Sequence, residues 1–160
     1  MNWQAIKSHK WSKYVIRIFS QGLTPRSMAL SITLGVFFGI IPLIGVATPA
    51  VTFLAIAFRL NLPIAIFMTY AVSPLHILLF IPFIYAGEWI VGVDHQEITF
   101  EAVKHAFQSD FFSAMADLAQ QLGLGLIGWI ILASASAIFL FWTLYGIFSL
   151  LQRKQPKPSI

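Results

Sequence analysis

Charge is absent from three long stretches of this chain, and that decides the solvent in which it can fold. Residues 27–58, 60–87 and 118–152, runs of 32, 28 and 35 residues, hold no Asp, Glu, Lys or Arg, and only Arg59 parts the first two. Each run exceeds the roughly 20 residues with which a helix crosses a hydrocarbon core. Charged residues make up 10% of the chain and hydrophobic residues 58%, against about 25% charged in a typical soluble domain. A water-soluble globule and a disordered chain are both excluded. The expected class is an all-α integral membrane protein. Cysteine is absent, which removes disulfides, cysteine metal sites and cysteine nucleophiles together.

The charges that remain are sorted by sign. All six acids, Glu88, Asp94, Glu97, Glu101, Asp110 and Asp117, fall within 88–117, with Lys104 as the single base among them. Lys7, Lys10, Lys13, Arg17 and Arg26 precede the first run; Arg153, Lys154 and Lys157 follow the last. Basic flanks stay in the cytoplasm, so both termini are expected inside and 88–117 outside. Three full crossings would separate the termini, so one run must cross an even number of times or not cross at all. The first run reads Gly39-Ile-Ile-Pro42-Leu-Ile-Gly45-Val-Ala-Thr-Pro49 at its middle. Proline removes a backbone donor and clashes with the preceding turn. The break leaves pieces of about 14 and 9 residues, too short at about 1.5 Å per residue for a core about 30 Å thick. Residues 27–58 are therefore expected to form a re-entrant hairpin, with 63–87 crossing outward and 120–150 returning. This puts nine basic residues inside and one outside. The rival assignment makes 27–58 the span and 60–87 the hairpin, broken at Ser73-Pro74.

Five segments follow: a cationic amphipathic stretch (1–26), a broken-helix core (27–87), an acidic external segment (88–117), a C-terminal transmembrane helix (118–152) and a basic cytoplasmic tail (153–160). In the first, Trp11, Tyr14, Val15 and Ile18 share one helical face and Lys10, Lys13 and Arg17 the other, the pattern of a helix lying in the interface. It is not patterned as a secretory signal peptide. In the external segment Phe100, Val103, Phe107, Phe111, Ala114 and Leu118 recur at helical spacing behind the capping residue Thr99, which suits a lid helix. Glu97, Glu101 and His105 share a face there, but such a stripe reads as solvated, and no metal site is expected. The last run carries Gly123, Gly125 and the alternation Ala133-Ser-Ala-Ser-Ala137, small residues that permit close helix contact. Trp129 and Trp142 are expected to face lipid or an interface.

Polar groups at membrane depth are costly and are the first places to look for function. They are Arg59, Asn61, Thr69, Ser73 and His76, with Arg26 at the entrance of the first run. Each also has a plain structural role open to it. Arg59 can snorkel, Asn61 can cap a helix before Pro63, and His76 can bond a carbonyl freed by Pro74. Ser31, Gly35 and Gly39 make a small-residue stripe suited to helix packing. A helix broken at Pro42 and Gly45 restarts near Thr48-Pro49, and the amide end of a half-helix suits an anion. Arg26, Arg59 and Asn61 are the candidate ligands for an anionic headgroup, with Thr48, Ser73 and His76 in support and Gly35, Gly39, Pro42, Gly45, Pro49 and Pro74 shaping the break. No catalytic constellation, cofactor motif or phosphate-binding glycine loop is present. Ser73-Pro-Leu-His76 lacks the turn of a hydrolase nucleophile, and the cationic ends are explained by topology without nucleic acid.

The stretch from Pro25 to Gly87, 63 of 160 residues, resembles the bacterial family called domain of unknown function 2062. The shared pattern is a proline opening an apolar run with spaced glycines, a proline–glycine break, an arginine–x–asparagine and two later prolines. Here it falls on Pro25, Gly35, Gly39, Pro42, Gly45, Arg59, Asn61, Thr69, Pro74 and Pro82. Ser73 stands where the family has asparagine, His76 where it has threonine, and Ala47 where glutamine is frequent. The resemblance implies a small multi-pass protein of the bacterial inner membrane and supplies no activity.

Three functions suit these residues. The first is binding or translocation of an anionic lipid or a polyprenyl-phosphate-type carrier. The second is a non-catalytic scaffold for a cell-envelope complex, with the Gly and Ala stripes as partner surfaces. The third is a small-solute or ion channel. So short a chain encloses a pathway most readily as a homo-oligomer.

Overall fold

A computed structural model describes residues 24–43, 45–93 and 111–153. Four helices carry nearly all of them: α1 (Pro25–Gly39), α2 (Ala47–Ala57), α3 (Leu62–Val91) and α4 (Phe111–Arg153). No strand occurs among the described residues. The cationic face around Trp11 and Arg17, the external stripe of Glu97, Glu101 and His105, the Thr99 cap and the basic tail beyond Arg153 lie outside the described residues.

Local chemistry sets the helix ends. Thr24 caps α1 by accepting from the Ser27 amide at 3.2 Å, with Pro25 in the first turn, where its missing donor costs nothing. After Gly39 the chain leaves the helix ahead of Pro42, which disfavours continuation, and it turns through Gly45 at φ 84°, a left-handed conformation that favours glycine. The Asn61 side chain accepts from the Ile64 amide at 3.0 Å and so starts α3. Gly92 ends it at φ 76°.

The expected break at 40–46 is present, but a second break at Pro74 is not. α3 is one helix of 30 residues that includes Pro74 and Pro82. This corrects the assignment of Pro74 to a break and removes the rival hairpin at Ser73-Pro74. Both proline rings are exposed, so each withholds one backbone bond without forcing its bulk into a neighbour. The segment boundaries move too. α3 passes Glu88 and ends at Val91, while α4 begins at Phe111 and absorbs the last residues of the external segment.

α1 and α3 run side by side in the same direction. Ser31 meets Asn61, Gly35 meets Ala65, and Gly39 meets Thr69 and Val72. A Cβ on Gly35 would overlap the Ala65 carbonyl oxygen, and one on Gly39 would overlap Val72, so the small-residue stripe is the contact itself. α4 runs against both. Gly87 lies on Leu124 and Gly128 on Phe83, Pro42 is near Gly125, and Trp129 reaches Phe37. The hairpin tip therefore sits part-way along the long pair, over a core of Ile40, Ile41, Phe83, Trp129 and Ala133. A second core of Val51, Ala55 and Ala65 fills the space between α2 and the others.

Trp129 corrects an expectation. It is 7% exposed, not turned to lipid, and its indole N–H donates to the Phe37 carbonyl at 3.2 Å. That carbonyl belongs to the last turn of α1, which has no helical partner of its own. Trp142 is exposed as expected.

Two helices, Leu62–Val91 and Ala114–Gln152, are long and apolar enough to cross a membrane. Of their most apolar stretches, only 11% and 28% respectively is buried within the molecule. A core helix of a soluble protein would be mostly buried. Here Ile77 is 79% exposed and Trp89 85%.

Candidate functional site

At the end of the molecule where α1 begins, α2 ends and α3 begins, the helices leave a cavity of about 620 Å³. Its walls are mostly apolar, built from Leu30, Leu34, Phe37, Phe58, Leu60 and Ala137. Thr24, Arg26, Ser27, Thr33 and Arg59 supply the polar lining. Arg26 and Arg59, 33 positions apart in sequence, thus face one space.

The hairpin brings them there. Asn61 donates its amide to the Ser31 hydroxyl at 2.9 Å, and that hydroxyl donates to the Ser27 carbonyl at 2.8 Å. Ser31 is fully buried, so this relay ties the turn after α2 to the first turns of α1. Asn61 is consumed in the joint. Its side chain caps α3 and its amide holds Ser31, so it supports the cavity from behind and is not among the lining residues.

Arg59 holds an unusual backbone. Its φ is 53°, and among the described residues it alone is left-handed without being glycine. Leu60 N–H bonds to the Ala55 carbonyl at 2.8 Å and Arg59 N–H to the Ile56 carbonyl at 3.1 Å. These bonds are those of a Schellman helix end, in which the residue at this position is usually glycine. An arginine there costs about 1 kcal/mol relative to glycine. The exposed guanidinium gains no compensating ion pair among the described residues. Strain of this kind that persists without structural return points to a functional side chain.

Electrostatically the cavity is one-signed. Two guanidinium groups and the positive end of α1 meet at it, and among the described residues no acid lines it. The dipole and the charges act in the same sense on an anion.

The other sequence candidates lie elsewhere. Thr48 meets the Tyr70 hydroxyl at 3.2 Å, tying α2 to the middle of α3. Ser73 and Pro74 are exposed on α3, and His76 stacks on Phe80 with ring centroids 6.5 Å apart. None of the four lines the cavity, and Ser73 and His76, inside an unbroken helix, have no break to order. Gly35, Gly39, Pro42 and Gly45 shape the hairpin as described, and Pro49 lies in the first turn of α2.

Sequence reasoning passed over Thr33. It lies on the cavity wall, 9% exposed, and its hydroxyl has no partner. The available signal was its spacing of seven from Arg26, two helical turns along the same face. Glu88 was counted with the external acids, yet its side chain is buried at 3% exposure near the end of α3. Among the described residues no group of His, Asp or Glu is placed to hold a metal.

These features define an all-α chain with a short broken hairpin set against two long apolar helices. It belongs to the family described as an uncharacterised protein conserved in bacteria, DUF2062, whose match covers residues 9–157. The family therefore extends over almost the whole chain, well past the Pro25–Gly87 stretch that carried the resemblance. No curated protein and no solved structure is detectably similar to it.

Proposed function

We propose that the chain is a multi-pass protein of the bacterial inner membrane that binds an anionic lipid or lipid-linked phosphate in the cavity between α1, the α2–α3 turn and α4. The observation that carries this reading is the meeting of Arg26 and Arg59 on one mostly apolar space, with no acid beside them among the described residues. A headgroup phosphate pairs with guanidinium groups through charge-assisted bonds, and the apolar walls receive the start of its chain. Binding serves as the first step of moving such a lipid between leaflets.

The same geometry supports one arrangement in the bilayer. α1 and α2 rise about 22 and 16 Å, too short for a core about 30 Å thick. The Asn61–Ser31 bond holds their outer ends together, so the hairpin enters and leaves on one face. That face is cytoplasmic by the distribution of basic residues. The antiparallel α3 and α4 then cross out and back, with both termini inside. Broken backbone inside a membrane is tolerated where protein covers it, and Trp129 supplies that cover at the end of α1. The scaffold reading loses ground because Gly125 and Ala133, the small residues it needed as a partner surface, are buried within the molecule.

The test is native mass spectrometry of the full chain released from a mild detergent, with identification of bound lipid, comparing wild type with Arg59→Gly. Glycine suits the left-handed position, so this variant keeps or improves folding while removing the charge. A selective anionic lipid lost on Arg59→Gly supports the reading. A folded wild type that carries no selective anionic lipid, or one retained by the variant, contradicts it.

A further inference from the structure

The cavity is equipped to recognise charge and little else. Among the described residues that line it, Arg26 and Arg59 carry the charge, and Thr24, Ser27 and Thr33 are the neutral polar groups. The Thr24 hydroxyl already accepts from the Ser27 amide at 3.2 Å, and the Thr33 hydroxyl oxygen is buried. No Asp, Glu, Asn, Gln or His is among them. There is thus no carboxylate to receive the ammonium of a zwitterionic headgroup and no amide side chain to read a headgroup alcohol.

The two arginines are brought to one opening by the backbone. A helical side chain leans toward the N-terminus of its helix, so Arg26, in the first turn of α1, extends toward the end where the cavity opens. Arg59 is held at that end by the turn that the Asn61 amide ties to Ser31. α4, the remaining wall, has no charge from 118 to 152. Two like charges at one opening repel each other, and a ligand with one negative charge offsets only half of them. A phosphate monoester carries about −1.5 to −2 at pH 7, with its second ionisation at about pH 6, and presents three terminal oxygens to the two guanidinium forks. A phosphodiester keeps a single charge and two such oxygens.

Resting on the anionic-lipid reading above, we infer that the cavity selects a phosphate monoester, a doubly charged headgroup, over the singly charged phosphodiester of an ordinary phospholipid. Phosphatidic acid and polyprenyl phosphate share this chemistry.

The experiment titrates the full chain in detergent, at constant ionic strength, and reads bound lipid by native mass spectrometry. The probes are phosphatidic acid, polyprenyl phosphate, phosphatidylmethanol and phosphatidylcholine, with inorganic phosphate as competitor. Phosphatidylmethanol differs from phosphatidic acid by one methyl and one charge. At about pH 8 wild type is expected to bind both monoesters about tenfold more tightly than phosphatidylmethanol. At about pH 5, below the second ionisation of the phosphate, the preference falls toward one. Arginine does not titrate in this range, and phosphatidylmethanol, singly charged throughout, corrects for any other change in the protein. Arg59→Gly and Arg26→Gln are each expected to cut the preference to about threefold. The tighter of the two monoesters identifies the source of the phosphate, and either one supports the inference. Equal binding of phosphatidic acid and phosphatidylmethanol at about pH 8 overturns it, as does a preference that is the same at both pH values or survives both substitutions. If both lipids bind equally and Arg59→Gly weakens both, the site stands and only the monoester selection is wrong. If no anionic lipid binds more tightly than phosphatidylcholine, or Arg59→Gly changes nothing, the headgroup site itself is wrong. If inorganic phosphate displaces phosphatidic acid at equal concentration, the charge selection stands and the lipid reading falls.

Discussion

The α1–α3 contact and the α3–α4 contact both use glycine, yet they are held differently. Against α3, the short α1 is pinned by hydroxyls as well as by close approach. The Ser31 hydroxyl takes the Asn61 amide, and the Thr69 hydroxyl donates to the Gly35 carbonyl at 3.2 Å. Between α3 and α4 glycine permits the close approach, with Gly87 against the Leu124 carbonyl and Gly128 against the Phe83 carbonyl. The difference follows from length. A long helix satisfies its own backbone nearly throughout, so it needs only a smooth surface to pack. A hairpin broken at 40–46 has helix ends in an apolar setting, and each end must find a partner. The Asn61–Ser31 bond lies where the backbone is interrupted, and the candidate site forms in the same place; the Thr69–Gly35 bond lies within both helices.

The sharpest way to break this comparison is Gly128→Ala. The new Cβ would overlap the Phe83 carbonyl, and overpacking against backbone is expected to cost about 3 kcal/mol or more. Loss of monodisperse protein in size-exclusion chromatography checks it; normal recovery would mean the long pair is looser than described. Trp129→Phe keeps the ring and removes the donor to Phe37. It is expected to cost about 1–3 kcal/mol for the orphaned carbonyl, seen as a lower melting temperature in detergent. Ser31→Ala breaks the relay to Asn61 and is expected to cost about 1–2 kcal/mol. Because the relay holds the cavity closed from behind, it also weakens anionic-lipid binding. Arg59→Gly runs the other way, raising stability by about 1 kcal/mol through relief of the left-handed backbone while lipid binding falls. Gly123→Ala is the smallest effect. Nothing lies within 4 Å of its added Cβ, so melting should rise slightly, by at most about 1 kcal/mol from helix propensity.

Much of the hairpin was legible because its signals are local. Pro42 and Gly45 mark the break, Asn61 before Pro63 marks a helix start, and Ser31, Gly35 and Gly39 mark a packing stripe. The pairing of Arg26 with Arg59 was legible as a hypothesis, since a re-entrant hairpin returns its ends to one level. The continuity of α3 was not legible. Pro74 can break a helix or be tolerated in one, and the outcome depends on which way its ring faces, which sequence spacing does not reveal. Trp129 was misplaced for a related reason. Its partner is a carbonyl 92 positions away, exposed by a break whose neighbour across the fold cannot be read from either segment. Thr33 carries no sequence signal beyond its spacing from Arg26, and only the cavity gives that spacing a meaning.

The cavity has meaning only if the outer ends of α1 and α2 lie on one face of the membrane. The chain has no cysteine, so single-cysteine variants report position without background. Gln21→Cys, Ala57→Cys and Val93→Cys would be exposed to a membrane-impermeant maleimide in right-side-out and inverted vesicles. The expected result is labelling of residues 21 and 57 only in inverted vesicles and of residue 93 only in right-side-out vesicles. Labelling of residue 57 from the opposite side to residue 21 would contradict the re-entrant hairpin, and with it the shared site of Arg26 and Arg59.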